Sequence, residues 1–381
     1  MSLLPPPPDS GCPLHGFSSA GGDPSRYSGP GYTAQGWQQV PVQPQPPKRG
    51  SGWKWGLGLA ALIVVIAVTV VVTSSVVRKG DDDSSRTAAP PLSSGTPRSD
   101  IASANDTGPV TVITEDPSCA AAAPILETRA AVQRNGWDKR DASVPASAWS
   151  PEVRAQYEAV GRSMRQSADQ LSAVASLTPH RVMRELYEQV IAYSRIYADS
   201  VEDYTSRDDN AALVSTNAST AVSLICAAID NGSAAARSSL IPEGPARPGS
   251  QAVGDPVNAQ PFLSGMNAEC GPWDAALSVF DNDTAEWRAI PAEIPASEWT
   301  PEQKAITDAV VPVMRRLASL QQLSGERSGN AVWRDLAELS SQYRLAYAAA
   351  LPTYVPSDDV LAAVSLRVGS VVSAACRLVD D

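Results

Sequence analysis

The sequence predicts an all-α protein: one N-terminal transmembrane helix, then two tandem disulfide-closed four-helix bundles related by an internal duplication. Three observations predict this. Trp149-Ser150-Pro151-Glu152 recurs as Trp299-Thr300-Pro301-Glu302, 150 positions later, and the register holds without a gap from Trp137/Trp287 to Cys226/Cys376. Along it Pro145, Ala146, Ser147, Met164, Arg165, Arg184, Leu186, Tyr193, Tyr197, Tyr204, Asp208 and Asp209 each meet their own residue type again, a match that chance does not sustain. Within each copy apolar residues recur at spacings of three and four, the helical period, and no stretch alternates with period two. One uncharged apolar run, Gly56 to Val77, precedes both copies.

Residues 1–52 are Pro, Gly, Ser and Gln with few aliphatics, too little apolar surface to offset the entropy of ordering. They read as a disordered Pro/Gly-rich cytoplasmic tail. Pro5–Pro8 and the stretch Pro41–Pro47 favour polyproline II, a form that a cytoplasmic partner can dock, although a solvated tail is the plainer reading. Residues 53–79 read as a signal anchor. The 22 uncharged residues from Gly56 to Val77 exceed the ~20 that a helix needs to cross a bilayer. Trp53 and Trp55 stand where an aromatic belt belongs. A cleaved signal peptide would start nearer the N-terminus and end in a small-residue cleavage site, whereas Arg78-Lys79-Gly80 follows here.

Basic residues flank the span on both sides, so charge alone leaves its orientation open. The cysteines decide it. Four of the five (Cys119, Cys226, Cys270, Cys376) open and close the two copies, as disulfides would, and disulfides persist outside the cytosol. The N-terminus is therefore expected in the cytoplasm with the lone Cys12, and the C-terminal portion outside the membrane.

Residues 80–117 read as a flexible spacer, 118–230 as the first bundle, 231–268 as a Pro/Gly-rich linker and 269–381 as the second bundle. In the first copy a short helix follows Cys119 and ends near Gly136, a suitable C-cap. Ser150 caps a second helix with Pro151 in its first position, where the missing N–H costs nothing. Val153, Tyr157, Val160, Met164, Ala168, Leu171 and Ala175 form its buried stripe. A third helix after Thr178-Pro179 carries Val182, Leu186, Val190, Tyr193, Tyr197, Val201 and Tyr204. Asp208-Asp209 caps a fourth, with Leu213, Val214, Ala221, Leu224 and Ile225, which runs past Cys226. The second copy repeats the plan, with Thr300-Pro301-Glu302-Gln303 as a capping box. In an up-down-up-down bundle the start of the first helix and the end of the fourth share one end, where the paired cysteines lie.

Function is less legible. Residues 1–79 hold six basic residues against two acidic, and the rest 24 against 39, for a net charge of −11. An acidic exterior argues against nucleic acid as a partner, which needs basic surface. Of two histidines, His15 lies in the tail, and His180 meets Asn330 in the second copy, so a shared histidine site is excluded. No zinc spacing, nucleophile elbow, phosphate-binding glycine loop or calcium loop occurs, and the reading is of a protein that is not an enzyme and uses no metal or cofactor. Glu152/Glu302 and Asp208-Asp209/Asp358-Asp359 are shared carboxylates in first helical turns, where capping accounts for them. Arg165/Arg315 and Arg184/Arg334 recur as partners for acids, inside the bundle or outside it. Tyr193, Tyr197, Tyr204 and their counterparts Tyr343, Tyr347, Tyr354 follow one helical face, as core residues do. Trp137, Trp149, Trp287 and Trp299 form the candidate binding surface, if exposed.

The tail ending Pro46-Pro47-Lys48-Arg49, the Val-rich span and the Ala-rich, lysine-poor exterior together resemble uncharacterised single-pass membrane proteins of mycobacteria and related actinobacteria. The resemblance is one of organisation, and it implies a cell-envelope setting. The expected function is a membrane-anchored extracytoplasmic binding or scaffold protein that meets envelope-protein or cell-wall partners. The alternative is a small-ligand receptor or enzyme using a groove between helices, with Arg165 or Arg184 beside a carboxylate in a polar pocket.

Overall fold

The structure is a computed structural model that describes residues 100–245 and 253–380. The tail, the apolar span and the first part of the spacer lie outside the described residues. Within the described residues every regular element is helical, and two disulfides join them. The first copy forms α1 (Ser118–Gln133), α2 (Pro151–Val174), α3 (Arg181–Ser200) and α4 (Asp209–Asp230). A short α5 (Ser233–Ser238) follows, and the second copy forms α6 (Cys270–Asp283), α7 (Ala285–Arg288), α8 (Pro301–Arg327), α9 (Ala331–Ala350) and α10 (Asp359–Val379).

The helix starts follow local chemistry. The Ser150 hydroxyl accepts from Val153 N at the head of α2, and Thr300 and Gln303 close the reciprocal capping box at the head of α8. These bonds satisfy amides that the first turn leaves without helical partners. The third helices are capped differently in the two copies. Asn330 caps α9 by accepting from Trp333 N, while His180 supplies no side-chain cap to α3 and sets its ring Nε2 3.0 Å from Glu115 O. The third helices end earlier than the apolar stripe predicts. Val201–Asp203 is a 3-10 turn and Tyr204 is extended, because the Tyr204 carbonyl accepts from Ala146 N at 2.9 Å, as Tyr354 does from Ala296.

In the first copy α1 packs on α2 and α4, and α3 on α2 and α4; in the second, α6 packs on α8 and α10, and α9 on α8 and α10. The copies are not independent bodies. α4 and α10 lie along one another, α3 meets α9, and the buried side chains of both copies form one continuous core. At the α4–α10 contact Arg367 Nη1 donates to Asn217 Oδ1 at 3.1 Å. These two residues are 150 apart, so equivalent positions face each other, as at a two-fold interface.

Two segments read as spacer and linker turn out to be structural. Residues 100–117 bury Ile101, Val110, Val112 and Ile113, and they reach the other copy, where Ile113 N donates to the Tyr343 hydroxyl at 3.3 Å. The lead-in of the second copy does the same in reverse: the Tyr193 hydroxyl donates to Leu263 O at 3.4 Å, and Phe262 N to Gln189 Oε1 at 2.9 Å. Ile113 and Leu263 are again 150 apart. The segment read as a Pro/Gly-rich linker contains α5, whose Arg237 pairs with Asp358 at 2.7 Å and donates to Thr353. Prolines delimit this helix rather than preventing it, since six residues fit between Gly232 and Pro242.

The disulfides join α1 to α4 (Cys119–Cys226) and α6 to α10 (Cys270–Cys376), across 107 and 106 positions. Closing loops of that length stabilises by about 4–5 kcal/mol each in the chain-entropy model. Replacing Cys270 and Cys376 together by Ala is therefore expected to cost a few kcal/mol. Urea unfolding of the oxidised wild type and the double variant measures this, and a loss below about 1 kcal/mol would show that the bridge does not restrain the unfolded chain.

Candidate functional site

The tryptophans proposed as a binding surface are packing residues. Trp137 is buried, with its indole N–H donating to the Tyr197 hydroxyl at 2.8 Å and the Arg140 guanidinium 3.4 Å from its ring centroid. Trp149, Trp287 and Trp299 are half-buried. Trp149 and Trp299 each donate to a carbonyl five residues back, Val144 O and Ile294 O. Their rings lie against Tyr204 and Tyr354 at 5.1 and 5.7 Å, and Trp287 meets Tyr347 edge-on at 5.8 Å. An aromatic ring at the head of a helix has most to gain by covering the tyrosines behind it. The six ladder tyrosines are all buried. Burial raises the hydroxyl pKa of Tyr193, Tyr197, Tyr204 and Tyr343, so these four stay neutral.

The carboxylates divide by role. Glu152 and Glu302 are held below the ordinary range by their own backbone amides and by the Ser150 and Thr300 hydroxyls, as capping acids are. Asp208 accepts from Thr205 N at 2.7 Å, and Asp358 from Val355 N at 3.0 Å. Asp209 and Asp359 differ. Asp209 pairs with Arg140 and accepts from Tyr204 at 3.3 Å. The residue matching Arg140 is Ile290, and burial, with Glu293 nearby, raises the Asp359 carboxyl.

The densest charge lies between the copies, along α3 and α9. Arg181 Nε donates to Asp335 Oδ2 at 2.7 Å with both side chains buried, and its Nη1 donates to Asp106 O at 2.7 Å. Arg184 pairs with Glu188 at 2.5 Å and donates to Ser103 Oγ at 2.9 Å. Glu188 recurs as Glu338, but their settings differ. Glu338 accepts from the amides of Gln322 and Gln342 at 3.0 and 2.9 Å. The backbone closes over both acids at Gly254 and Gly244, where an added Cβ would press on the Glu188 and Glu338 carboxylates and, at Gly244, on Val110 O as well. Burial raises both carboxyls above their ordinary range, opposed at Glu188 by Arg184 and at Glu338 by the two glutamines. Arg165, by contrast, forms an exposed pair with Asp199 at 2.7 Å.

Sequence reasoning singled out Arg184 but missed Arg181, Asp335 and the glutamates. The identity of Glu188 and Glu338 at +150 is the signal that would have found the glutamates. It also missed Arg129, which is buried with Nη1 and Nη2 on Ser194 and Ser215 at 3.1 and 2.9 Å. Desolvation brings its pKa down to about 9.

This chemistry is that of a structural seam. Among the described residues no cluster of three or more metal-ligating side chains occurs. A surface cleft of about 570 Å³ is lined by Asp100, Asp169, Ser172, Arg195 and Val257 among others, and another of about 220 Å³ by α6 and α8. Neither contains Arg184, Glu188, Glu338 or the ladder tyrosines.

Two outcomes follow from the seam. Arg181→Ala takes away the guanidinium 2.7 Å from the buried Asp335 and is expected to destabilise more than the double variant R181M/D335L, which removes both charges; urea midpoints of the two variants test the order. Glu338 is predicted to make stability pH-dependent. Its folded carboxyl binds a proton more tightly than its unfolded one, so the folded state holds the extra proton between the ordinary carboxylate pKa and the raised one. Stability therefore falls as pH rises through that window. Glu338→Gln is expected to flatten this part of the profile in unfolding curves taken from about pH 4 to 8.

A family model described as mycobacterial ESX-1 associated protein matches residues 101–380. That span begins where the first buried lead-in residue, Ile101, begins the core. A protein of Mycolicibacterium smegmatis (strain MKD8), described as uncharacterized, is 48% identical over 379 residues, covering 99% of this chain and 95% of its own. No solved structure matches. An all-helical body matched along both copies, together with a relative that aligns across almost the whole chain, places the protein among its kin: it belongs to the family of mycobacterial ESX-1 associated proteins.

Proposed function

We propose that the protein is a membrane-anchored binding or scaffold protein of the mycobacterial envelope, holding two paired four-helix bundles outside the cytosol beside an ESX-1-associated assembly. The family's association carries this reading. The disulfides support the compartment, since such bonds are rare where thiols are kept reduced. The run from Gly56 to Val77 supports the anchor. The fused two-fold body supports the scaffold role, because it presents related surfaces at fixed spacing, and that raises avidity without new contacts.

Crosslinking of the full-length protein in its native cells, followed by mass spectrometry, tests the role. Crosslinks from residues 101–380 to membrane or secreted components of the ESX-1 assembly are the expected result. Crosslinks confined to cytosolic proteins would overturn it. In the same cells a membrane-impermeant maleimide, applied after reduction, should label Cys119 and Cys226, the half-buried pair, and spare Cys12.

A further inference from the structure

The second copy carries a surface groove whose aliphatic lining on α8 the first copy does not repeat. It lies between α6 and α8, with Ala276 and Val279 on one wall and Leu320 and Leu323 on the other. Val279, Leu320 and Leu323 are 48%, 39% and 39% exposed, so three aliphatic side chains share one open strip. Arg316 and Arg327 complete it. The spacing 316, 320, 323, 327 is four, three, four, which sets all four on one face of α8. Both arginines are exposed and form no ion pair among the described residues. Glu269, at the Arg327 end of the groove, pairs with neither.

The matching positions in the first copy are Gln166, Gln170, Ala173 and Leu177. The same fold thus does without this strip, and the bundle does not need it. In a chain of net charge −11, Arg316 and Arg327 set two cations without ion-pair partners among the described residues at the ends of an open aliphatic groove. They lie eleven residues apart, about 16 Å along the helix.

We infer that this groove docks an amphipathic helix of a partner protein, with aliphatic residues at i, i+3 or i+4 and i+7 against Leu320, Leu323 and Val279 and a carboxylate near each end for Arg316 and Arg327. Charge complementarity selects this occupant. A helix of three turns spans the distance between the arginines, apolar anchors seat in the groove, and acids at its two ends meet the cations. The inference rests on the binding-protein reading above and names one surface through which it acts.

The test uses the full-length protein in detergent and a fluorescein-labelled helical peptide with three leucines at i, i+4 and i+7 flanked by glutamates eleven residues apart. A second peptide carries lysines in place of the glutamates. Fluorescence anisotropy is expected to show saturable binding of the glutamate peptide and at least tenfold weaker binding of the lysine peptide. R316E/R327E should reverse that preference, and L320Q/L323A, which writes the first copy's residues into the second, should abolish binding of both. Equal binding of the two peptides, or no saturable binding to the wild type, would overturn the proposal.

A photocrosslinker at position 323 of the full chain in native membranes identifies the occupant. Capture of a partner helix with acids about three turns apart, lost in R316E/R327E, supports the inference. Capture of a second copy, or of residues 1–99 of the same chain, overturns it. If L320Q/L323A leaves the ESX-1 crosslinks of residues 101–380 unchanged, the groove fails while the scaffold reading stands. If the wild type yields no such crosslinks, the scaffold reading fails by itself.

Discussion

The reciprocal crossing of the two lead-in segments is the constraint on which the rest of the body depends. Ile113 leaves the first copy to meet Tyr343 in the second, and Leu263 leaves the second to meet Tyr193 in the first. Each copy thus completes its partner's third helix. Phe262 sits between Tyr193 and Trp333, at 6.4 Å from each, and ties the cores at a point that belongs to neither alone. Once the third helices are committed in this way, the charges along them have no route to water. Arg181 and Asp335 must then pair across the boundary, since a buried unpaired charge is far more costly than a buried pair.

The two copies fill one matching layer of the core with different residues. Position 194 is Ser in the first copy, and its match is Arg344 in the second. The first copy supplies its buried guanidinium from α1 instead, as Arg129, which donates to Ser194. In the second, Arg344 projects from α9 over Phe280 of α6, at 4.5 Å from the ring centroid. Both copies therefore bury one arginine between first and third helices, from opposite sides. A Ser–Arg contact and a cation–π contact fill the same layer with different atoms.

The long helices of each copy, the Ser150 and Thr300 caps and the tyrosine ladder could be read from the sequence because each rests on local spacing: Ser150 before Pro151, Thr300 before Gln303, tyrosines at helical intervals. The expected Asp208-Asp209 cap could not, since Asp208 and Asp358 heading the fourth helices make no side-chain cap bond. The lead-ins could not. Val110, Val112 and Ile113 are too few to show a period, and their burial comes from partners as far as 230 positions away, as at Tyr343. Polar composition around them imitates a spacer for the same reason. The tryptophans stood in loops, where periodicity says nothing, and only the tyrosines opposite them decide that they pack inward. The seam glutamates did carry a signal in their +150 identity. A charged residue on a core helix, however, reads as surface until its neighbours on a second body are known.

The same pairing accounts for the hydropathy of α4 and α10. Both are long and apolar enough to suit a membrane span by length and composition. Yet each begins with an aspartate, carries the closing cysteine of its own disulfide and lies against the other. A helix at the rim of a helical body keeps a wide polar face toward solvent, whereas one packed against its own copy and against the other copy carries a broader apolar face. Ala211, Val214, Ala218, Ala221, Val222 and Ile225 of α4, and Leu361, Val364, Val368, Val371 and Val372 of α10, are all buried. Their apolar excess is therefore a record of two-sided burial.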